Sequence, residues 1–361
     1  MKSDAAVSQT RPNLPYLQNW FEGETLYSWA AHFHELQGRV SSTKTGVLLF
    51  GQDDASRRYS TLSGLAHFVQ VTRGQLGNLA EIIMLRTPLA EVRPFVPSKD
   101  WRRIISTLSE FGAYEGMTPV NGLLTRGLMM RSRPRYCIEC AKAELAEFGT
   151  SYWHRGYQFQ CSFACAKHRI ALTHPRQCGK RWRLPHHDRP FYGSESMPER
   201  ILAQALLLTR LSEVCSQAET VDFSAFADAT IMQLMTVDVA TVVPRKCGDA
   251  LSVWFSQTVS SQVIKAFYPE NSDLRNGKWI VRLLRTRRSA NPLHWLLLWG
   301  ALLEELPEES GVALFRNAVS KRCIDFLFPG EHAEYSRNML YKFLRPRQCQ
   351  SGRTREFHVS Q

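Results

Sequence analysis

Two short pairs of metal-ligand residues constrain this sequence more than any other feature. They are Cys137-x2-Cys140 and Cys165-x2-His168, and 24 residues separate them. Each pair is spaced to form a tight turn that presents two ligands to one ion, and the intervening segment is long enough to bring the second turn over the first. Three thiolates and one imidazole bind Zn²⁺ tetrahedrally and leave no open position for a substrate. We therefore expect one structural zinc in a small zinc ribbon, with Cys161 outside the coordination sphere.

Length and cysteine content favour a folded protein of a reducing compartment. The chain has 361 residues, enough for two or three compact units that each bury a core. Its nine cysteines are an odd number, and no apolar leader precedes Pro15, so we expect reduced thiols and metal ligands rather than disulfides. The longest apolar run, Trp295 to Leu303, is too short to span a bilayer. These features predict a cytoplasmic protein.

The positive charge is large and clustered. A net charge of +12 and a pI near 9.4 favour contact with nucleic acid or a nucleoprotein. Guanidinium groups bind phosphate oxygens, and an aromatic ring among them can stack on an unpaired base. The candidate contact residues are Arg131, Arg133 and Arg135 before the first ligand pair, Arg181, Trp182 and Arg183 after the second, and Arg285, Arg287 and Arg288. A generally basic, solvated surface is the alternative, and it stays open.

Hydrophobic periodicity predicts a mainly α-helical fold around the zinc ribbon. Apolar residues recur at helical spacing from Leu26 to Leu36, and again over 196–217, while strands are expected only as short hairpins around the metal. Residues 61–86 predict two helices joined by a turn at Thr72-Arg73-Gly74, the outline of a helix-turn-helix. The expected organisation is an extended or disordered tail (1–18), an N-terminal helical domain with the helix-turn-helix (19–130), a central zinc domain (131–190) and a C-terminal helical domain (191–361).

The residues around the ligand pairs resemble the signature of the TniQ/TnsD family. That signature is carried by Arg135-Tyr136, Tyr152-Trp153, Gln158 and Leu172 together with the four ligands. The N-terminal part resembles the family independently, through Glu24-Thr25-Leu26-x-Ser28-Trp29, Leu48-Leu49-Phe50-Gly51, Leu65-Ala66, Thr72 and Leu76. The resemblance covers about residues 15–180, whereas the C-terminal half matches only in being helical.

The sequence also departs from the family pattern. Ile138 replaces a proline, and Cys161 is an extra thiol between the pairs. Downstream, where many members hold a second zinc, one cysteine remains, Cys178, with His174, His186 and His187 as conceivable substitutes. Because one sulfur cannot close a tetrahedron, we expect no second zinc site.

The resemblance implies a bacterial target-selection protein for transposition that does not itself cut or join DNA. Such proteins bind target DNA directly or dock on a guide-RNA (Cascade/crRNA) complex, often as homodimers, and recruit the AAA+ regulator TnsC and the transposase. Direct-binding members tend to be longer than 361 residues, so the length favours docking on the guide complex.

Two other functional classes stay open. A zinc-dependent nuclease would need a metal with three protein ligands, a bound water and a nearby acid, for which Glu139 is the candidate in the sequence. A transcription regulator would share the basic charge and the helical pair. No GxxxxGK[ST] loop indicates a nucleotide-hydrolysing enzyme.

Overall fold

The computed structural model describes residues 17–38, 41–57, 64–109, 133–176, 181–191, 197–218, 221–236, 247–267, 272–286 and 292–320. Over these residues the protein is mainly α-helical, as the periodicity predicts. The helices of the N-terminal part are α1 (Leu26–Leu36), α2 (Ser42–Phe50), α3 (Leu65–Val71), α4 (Leu79–Arg86), α5 (Leu89–Val92) and α6 (Ser98–Ser109). Of the predicted tail, only Leu17 and Gln18 lie within the described residues.

The cysteine-rich segment, residues 133–176, consists of a helix and a short hairpin, and further helices follow it. The segment contains α7 (Ile138–Phe148) and the antiparallel strands β1 (Ala164–Cys165) and β2 (Ile170–Ala171). The C-terminal helices are α8 (Glu199–Gln217), α9 (Phe223–Thr236), α10 (Cys247–Gln257), α11 (Val259–Phe267), α12 (Ser272–Arg275), α13 (Trp279–Thr286), α14 (Pro292–Leu302) and α15 (Glu308–Val319). Short 3-10 turns lie at Ala55–Arg57, Arg93–Phe95, Gly156–Gln158 and Pro185–Asp188.

Local sequence signals explain the first two helices. The Thr25 hydroxyl accepts a hydrogen bond from the Ser28 N–H and caps α1, and the Ser41 hydroxyl caps α2 in the same way. Gly51 ends α2 with a φ of 68°, a conformation that costs a glycine little because it has no Cβ. The apolar residues at helical spacing therefore form helices where the sequence predicts them.

The predicted helical pair exists as α3 and α4, joined by the turn at residues 72–78. Asn78 and Glu81 form a reciprocal capping box that starts α4. The outward side chains of α4 are those of Ala80, Glu81 and Leu85, and the guanidinium of Arg86 lies 4.5 Å from the centre of the Trp20 ring. The second helix therefore offers no free cation, and a DNA-reading role for the pair stays a prediction.

Aromatic rings fill the N-terminal core. Trp29 packs against Phe33 and Phe68, with ring centres 5.6 and 5.4 Å apart, and Phe68 stacks on Phe50 at 5.4 Å. Offset and edge-to-face contacts of this kind add to the gain from burying the rings. Trp153 and Trp182, from the cysteine-rich segment and beyond it, are buried in the same core.

The C-terminal core is organised around α8. This helix contacts α5, α11, α14 and α15. Trp299 of α14 is fully buried and donates a hydrogen bond from Nε1 to the Thr230 hydroxyl at 3.0 Å. The apolar run of the sequence thus supplies core residues in α14, and no helix among those described combines the length and apolar composition that crossing a bilayer requires.

The cysteine-rich segment belongs to both cores. Tyr136, Ile138 and Trp153 pack in the N-terminal core, whereas Cys161 and Phe163 pack in the C-terminal core. Cys137, Cys140, Cys165 and Leu172 form a small cluster between them. The segment therefore connects the two helical parts, rather than packing on itself alone.

Candidate metal centre

The first ligand pair lies at the start of a helix. Cys137 is the N-cap residue of α7, with φ −92° and ψ 126°, and Cys140 lies in the first turn. Both sulfurs are therefore held near the N-terminus of α7, where the helix dipole and the unpaired N–H groups favour negative charge. This placement suits thiolates, because it lowers the free energy of the charged form.

The second ligand pair lies in the hairpin between β1 and β2. Cys165 pairs with Ile170 across the strands, and the Arg169 N–H donates to the Cys165 carbonyl oxygen at 2.8 Å. Arg169 adopts a φ of 51°, in the left-handed region, which reverses the chain after His168. The His168 N–H also points to the Cys165 sulfur, at 3.4 Å. The tight turn brings the imidazole back towards the thiol.

Two backbone hydrogen bonds hold the two pairs together. The Tyr136 N–H donates to the Thr173 carbonyl at 3.0 Å, and the Thr173 N–H donates to the Tyr136 carbonyl at 2.9 Å. Tyr136 precedes the first ligand, and Thr173 lies two residues beyond β2. The spacer therefore returns the second pair over the first, as its length predicts.

Four of the six distances between the ligand atoms fit a tetrahedron around zinc, and all six are within 4.8 Å. A site with Zn–S bonds of about 2.3 Å and a Zn–N bond of about 2.0 Å has S···S edges of about 3.8 Å and S···N edges of about 3.5 Å. The sulfurs of Cys140 and Cys165 are 3.9 Å apart. The His168 Nδ1 is 3.4 Å from the sulfur of Cys137, 3.3 Å from that of Cys140 and 3.7 Å from that of Cys165. These four residues can hold a metal ion, and their chemistry and edge lengths fit Zn²⁺.

Thiol pKa values in the group are strongly shifted by mutual contact. Hydrogen bonds from Cys137 and Cys140, together with one from Tyr157, hold the pKa of the Cys165 thiol well below its usual range. The hydrogen bonds that Cys137 makes to the sulfurs of Cys140 and Cys165 raise the pKa of the Cys137 thiol, because they stabilise its protonated form. One thiolate is thus already favoured, and a bound divalent cation would displace the remaining thiol protons.

Tyr157 is a contact of the site that the sequence analysis missed. Its hydroxyl lies 3.1 Å from the Cys140 sulfur and 3.2 Å from the Cys165 sulfur, so it can donate to either thiolate. Burial, followed by the two sulfurs, raises the pKa of this phenol, which keeps it protonated and able to donate. The sequence did contain a signal for this contact, because Tyr157 lies between the two ligand pairs, eight residues before Cys165.

Glu144 and His154 form a second layer behind Cys140. Glu144 is four residues after Cys140 on α7 and so faces the same side of the helix. One carboxylate oxygen lies 2.5 Å from His154 Nε2, and the other accepts from the Tyr152 N–H at 3.2 Å. Glu139, which the sequence analysis named as an acid, is exposed and pairs with Lys142 at 2.8 Å. Both nearby acids are therefore engaged in other contacts.

The N-terminal motif docks on the cysteine-rich segment. The Thr25 N–H donates to the Trp153 carbonyl at 3.0 Å, and the Trp153 N–H donates to the Ser28 hydroxyl at 3.0 Å. Glu24 is fully buried and binds His32 Nδ1 at 2.8 Å. The two halves of the sequence signature therefore meet, because α1 and the residues after α7 share these hydrogen bonds.

Two of the predicted nucleic-acid contacts are buried, and the prediction is wrong for them. Arg135 is 2% exposed; its guanidinium donates to the Phe159 carbonyl and lies 5.7 Å from the centre of the Phe163 ring. Trp182 is 3% exposed and donates from Nε1 to the Ser42 carbonyl at 3.0 Å. Neither side chain can reach a phosphate or stack on a base in this fold.

The other predicted contacts are placed differently. Arg133 and Arg181 are exposed, and Arg183 is half-buried and donates to the His187 carbonyl at 3.0 Å. Arg285 lies in the last turn of α13, and only its backbone is described. Arg131, Arg287 and Arg288 lie outside the described residues. A role in nucleic-acid or partner binding stays a prediction for these seven residues.

The histidines considered for a second zinc bind elsewhere. His186 and His187 both point Nε2 at Glu35, at 3.4 and 2.5 Å. Burial raises the pKa of Glu35, but the hydrogen bonds from the two histidines outweigh it and lower the pKa to about 2. His187 Nδ1 accepts from the Leu184 N–H at 3.0 Å, so its proton is on Nε2, where a metal would bind. Glu35, His186 and His187 lie close enough together to hold a metal ion, but in this structure they bind one another, and Cys178 lies outside the described residues.

The chain has recognisable relatives. Residues 15–172, which include the N-terminal motif and all four ligands, match the family model described as TniQ. The chain is 22% identical over 297 residues to "Transposon Tn7 transposition protein TnsD" of Escherichia coli, an alignment that covers 79% of this chain and 57% of that protein. The chain thus spans little more than half the length of the relative.

Proposed function

We infer that this chain is a member of the TniQ/TnsD family, and we propose that it is a non-enzymatic adaptor that selects target sites for DNA transposition. The observation that carries the proposal is that the two parts of the family signature, which lie far apart in the sequence, contact each other in the fold. Residues 15–172 run from just before the Glu24–Trp29 motif to the end of β2, and the two parts of the family signature bind each other through Ser28, Thr25 and Trp153.

The proposed role of the metal is to organise the fold. Three thiolates and one imidazole close a tetrahedron, so a zinc there has no position for a substrate or an activated water. The ligand cluster lies between the N-terminal and C-terminal cores, and residues of the same segment enter both. We infer that bound zinc fixes the relative positions of surfaces that meet other components, which favours an adaptor over a zinc-dependent nuclease.

We further propose that the chain docks on a guide-RNA Cascade complex and recruits the AAA+ regulator TnsC and the transposase, acting as a homodimer. The surface of α4 supports docking over direct reading of a DNA sequence. A reading helix needs side chains that donate to base edges in the major groove. α4 instead exposes Ala80, Glu81 and Leu85, and its Arg86 is engaged with Trp20. In this mode base pairing with the guide supplies the sequence specificity.

The proposal is tested by mapping insertions in bacterial cells that carry the transposase, the AAA+ regulator and the guide complex of the same element. With the chain present, insertions should collect at one distance from the sequence that the guide matches, and without it they should disappear or scatter. Changing the guide should move the insertions. Insertions that collect at one site whatever the guide would instead favour direct DNA binding, and insertions unaffected by removal of the chain would contradict target selection.

A further inference from the structure

α6 is an amphipathic helix that lies on the helical pair. Trp101, Ile104 and Leu108 are buried, and they recur at the spacing of one helix face. The helix contacts both α3 and α4. Its buried face is therefore occupied by the N-terminal core, and its opposite face is directed away from the protein.

The outward face of α6 is basic. Lys99, Arg102 and Arg103 are all exposed and stand at positions i, i+3 and i+4, with exposed Ser106 at i+7. At 100° per residue these positions lie opposite the buried stripe. From Lys99 to Arg103 the three cations extend over about 6 Å of helix axis. We call Lys99, Arg102 and Arg103 the α6 cations.

The α6 cations are not arranged to stabilise the helix. A salt-bridged solvated helix places an acid three or four residues from each cation, and here Asp100 stands three residues before Arg103 alone. No ion pair involving Lys99 or Arg102 occurs within the described part of the chain. Lys99 also lies in the first turn, where the helix dipole disfavours a cation. An external anion would give Lys99 and Arg102 a partner of opposite charge.

The chemistry of this face fits the backbone of a duplex rather than unpaired bases. Single-stranded nucleic acid is held chiefly by aromatic rings on which bases stack. The aromatic ring of α6, that of Trp101, is 7% exposed and lies 5.3 Å from the Arg93 guanidinium, so it cannot serve in this way. Lys and Arg can bind the phosphate oxygens of a duplex without an aromatic partner, and contacts to phosphates carry no sequence information.

We propose that the α6 cations form a sequence-independent contact with the phosphate backbone of duplex DNA. That the duplex is target DNA rests on the proposed function. The expected nucleic-acid contact thereby moves from buried Arg135 and Trp182 to a helix that the sequence analysis had not singled out. Sequence would be selected elsewhere, and α6 would hold the chain against the DNA beside the selected site.

The test measures binding of the full chain to a fluorescent duplex of arbitrary sequence by anisotropy, between 50 and 200 mM salt. The variant is Lys99→Gln/Arg102→Gln/Arg103→Gln. The control variant, Lys44→Gln/Arg57→Gln/Lys265→Gln, removes the same charge from exposed positions on α2, the Ala55–Arg57 turn and α11. Each lost phosphate contact lowers the slope of log K against log salt by about 0.9, so the α6 variant should lose about 2 to 3 of slope and about tenfold or more in affinity.

Three outcomes would overturn the proposal. They are no measurable binding of the unmodified chain at 50 mM salt, an equal loss in the control variant, and a larger loss towards an RNA duplex than towards DNA. Because the α6 cations are exposed, thermal unfolding should be the same in all three proteins.

The outcome is separable from that of the proposed function. If the unmodified chain fails to direct insertions while the α6 variant still loses DNA binding, target selection fails and the DNA-binding surface stands. If insertions are directed normally by an α6 variant whose salt slope is unchanged, the surface fails and target selection stands.

Discussion

Glu91 is a fully buried carboxyl group that lies where three parts of the chain meet, so burial should change both its pKa and the pH dependence of stability. It lies on α5, is 1% exposed, and accepts a hydrogen bond from the Gln160 N–H at 2.7 Å. Burial is the largest influence and raises its pKa from 4.5 to about 7, against the hydrogen bond from Gln160, the nearby polar groups of Ser212 and Cys161 and the charge of Arg135, which lower it. The group therefore titrates near neutral pH.

The sign of the effect on stability follows from this raised pKa. The folded protein binds the Glu91 proton more tightly than the unfolded chain, so its contribution is fully present below pH 4.5 and is lost as the pH rises to about 7. A difference of about 2.5 between the two pKa values corresponds to about 3 kcal/mol. Glu91→Gln removes the titration, so the free energy of unfolding of the variant relative to the unmodified protein should rise by about 2.5 kcal/mol between pH 5 and pH 8.

The assay is urea unfolding followed by circular dichroism at pH 5, 6, 7 and 8. Titration of every other group cancels in the difference between the variant and the unmodified protein. Glu139→Gln serves as the control, because Glu139 is half-exposed and its pair with Lys142 contributes little. If the stabilities of Glu91→Gln and the unmodified protein change in parallel with pH, the reasoning about burial is refuted.

Two further substitutions test contacts around the site. Tyr157→Phe removes a donor to the sulfurs of Cys140 and Cys165 and should weaken metal affinity about tenfold or more in competition with a chromophoric chelator, whereas equal affinity would show that the hydroxyl contributes nothing. Trp182→Ala should lower the free energy of unfolding by about 3 to 5 kcal/mol and leave the salt slope of DNA binding unchanged, because the ring fills the core. Normal stability with a reduced slope would restore Trp182 as a nucleic-acid contact.

Features set by local sequence were predictable. Helix α1 covers Leu26–Leu36 as expected, since its apolar spacing and the Thr25 cap are both read within one short segment. The approach of Cys137, Cys140, Cys165 and His168 to distances at which they could hold a metal ion was also predictable, because it depends on the two-residue spacing within each pair and on a sufficiently long segment between the pairs.

Features set by distant partners were not predictable. Trp182 and Arg135 look like surface residues because arginines surround them in the sequence, but Trp182 packs on Tyr27 and Phe50, more than 130 positions away. Burial of Glu91 likewise depends on Gln160 and on Ser212 of α8. Amphipathic periodicity could have identified α6, since its apolar residues and its cations alternate with a helical period.

The central claim is that one closed zinc site, held by Cys137, Cys140, Cys165 and His168, joins the parts of this chain. X-ray absorption at the zinc edge of the purified full chain tests it most directly, because it counts ligands without relying on a variant that folds. We predict one zinc per chain with three sulfur neighbours at about 2.3 Å and one nitrogen at about 2.0 Å, and the same spectrum for Cys161→Ser. A light neighbour without the outer-shell scattering of an imidazole ring would indicate a bound water and an open site. Four sulfurs, a changed Cys161→Ser spectrum or a chain without zinc would contradict the ligand assignment.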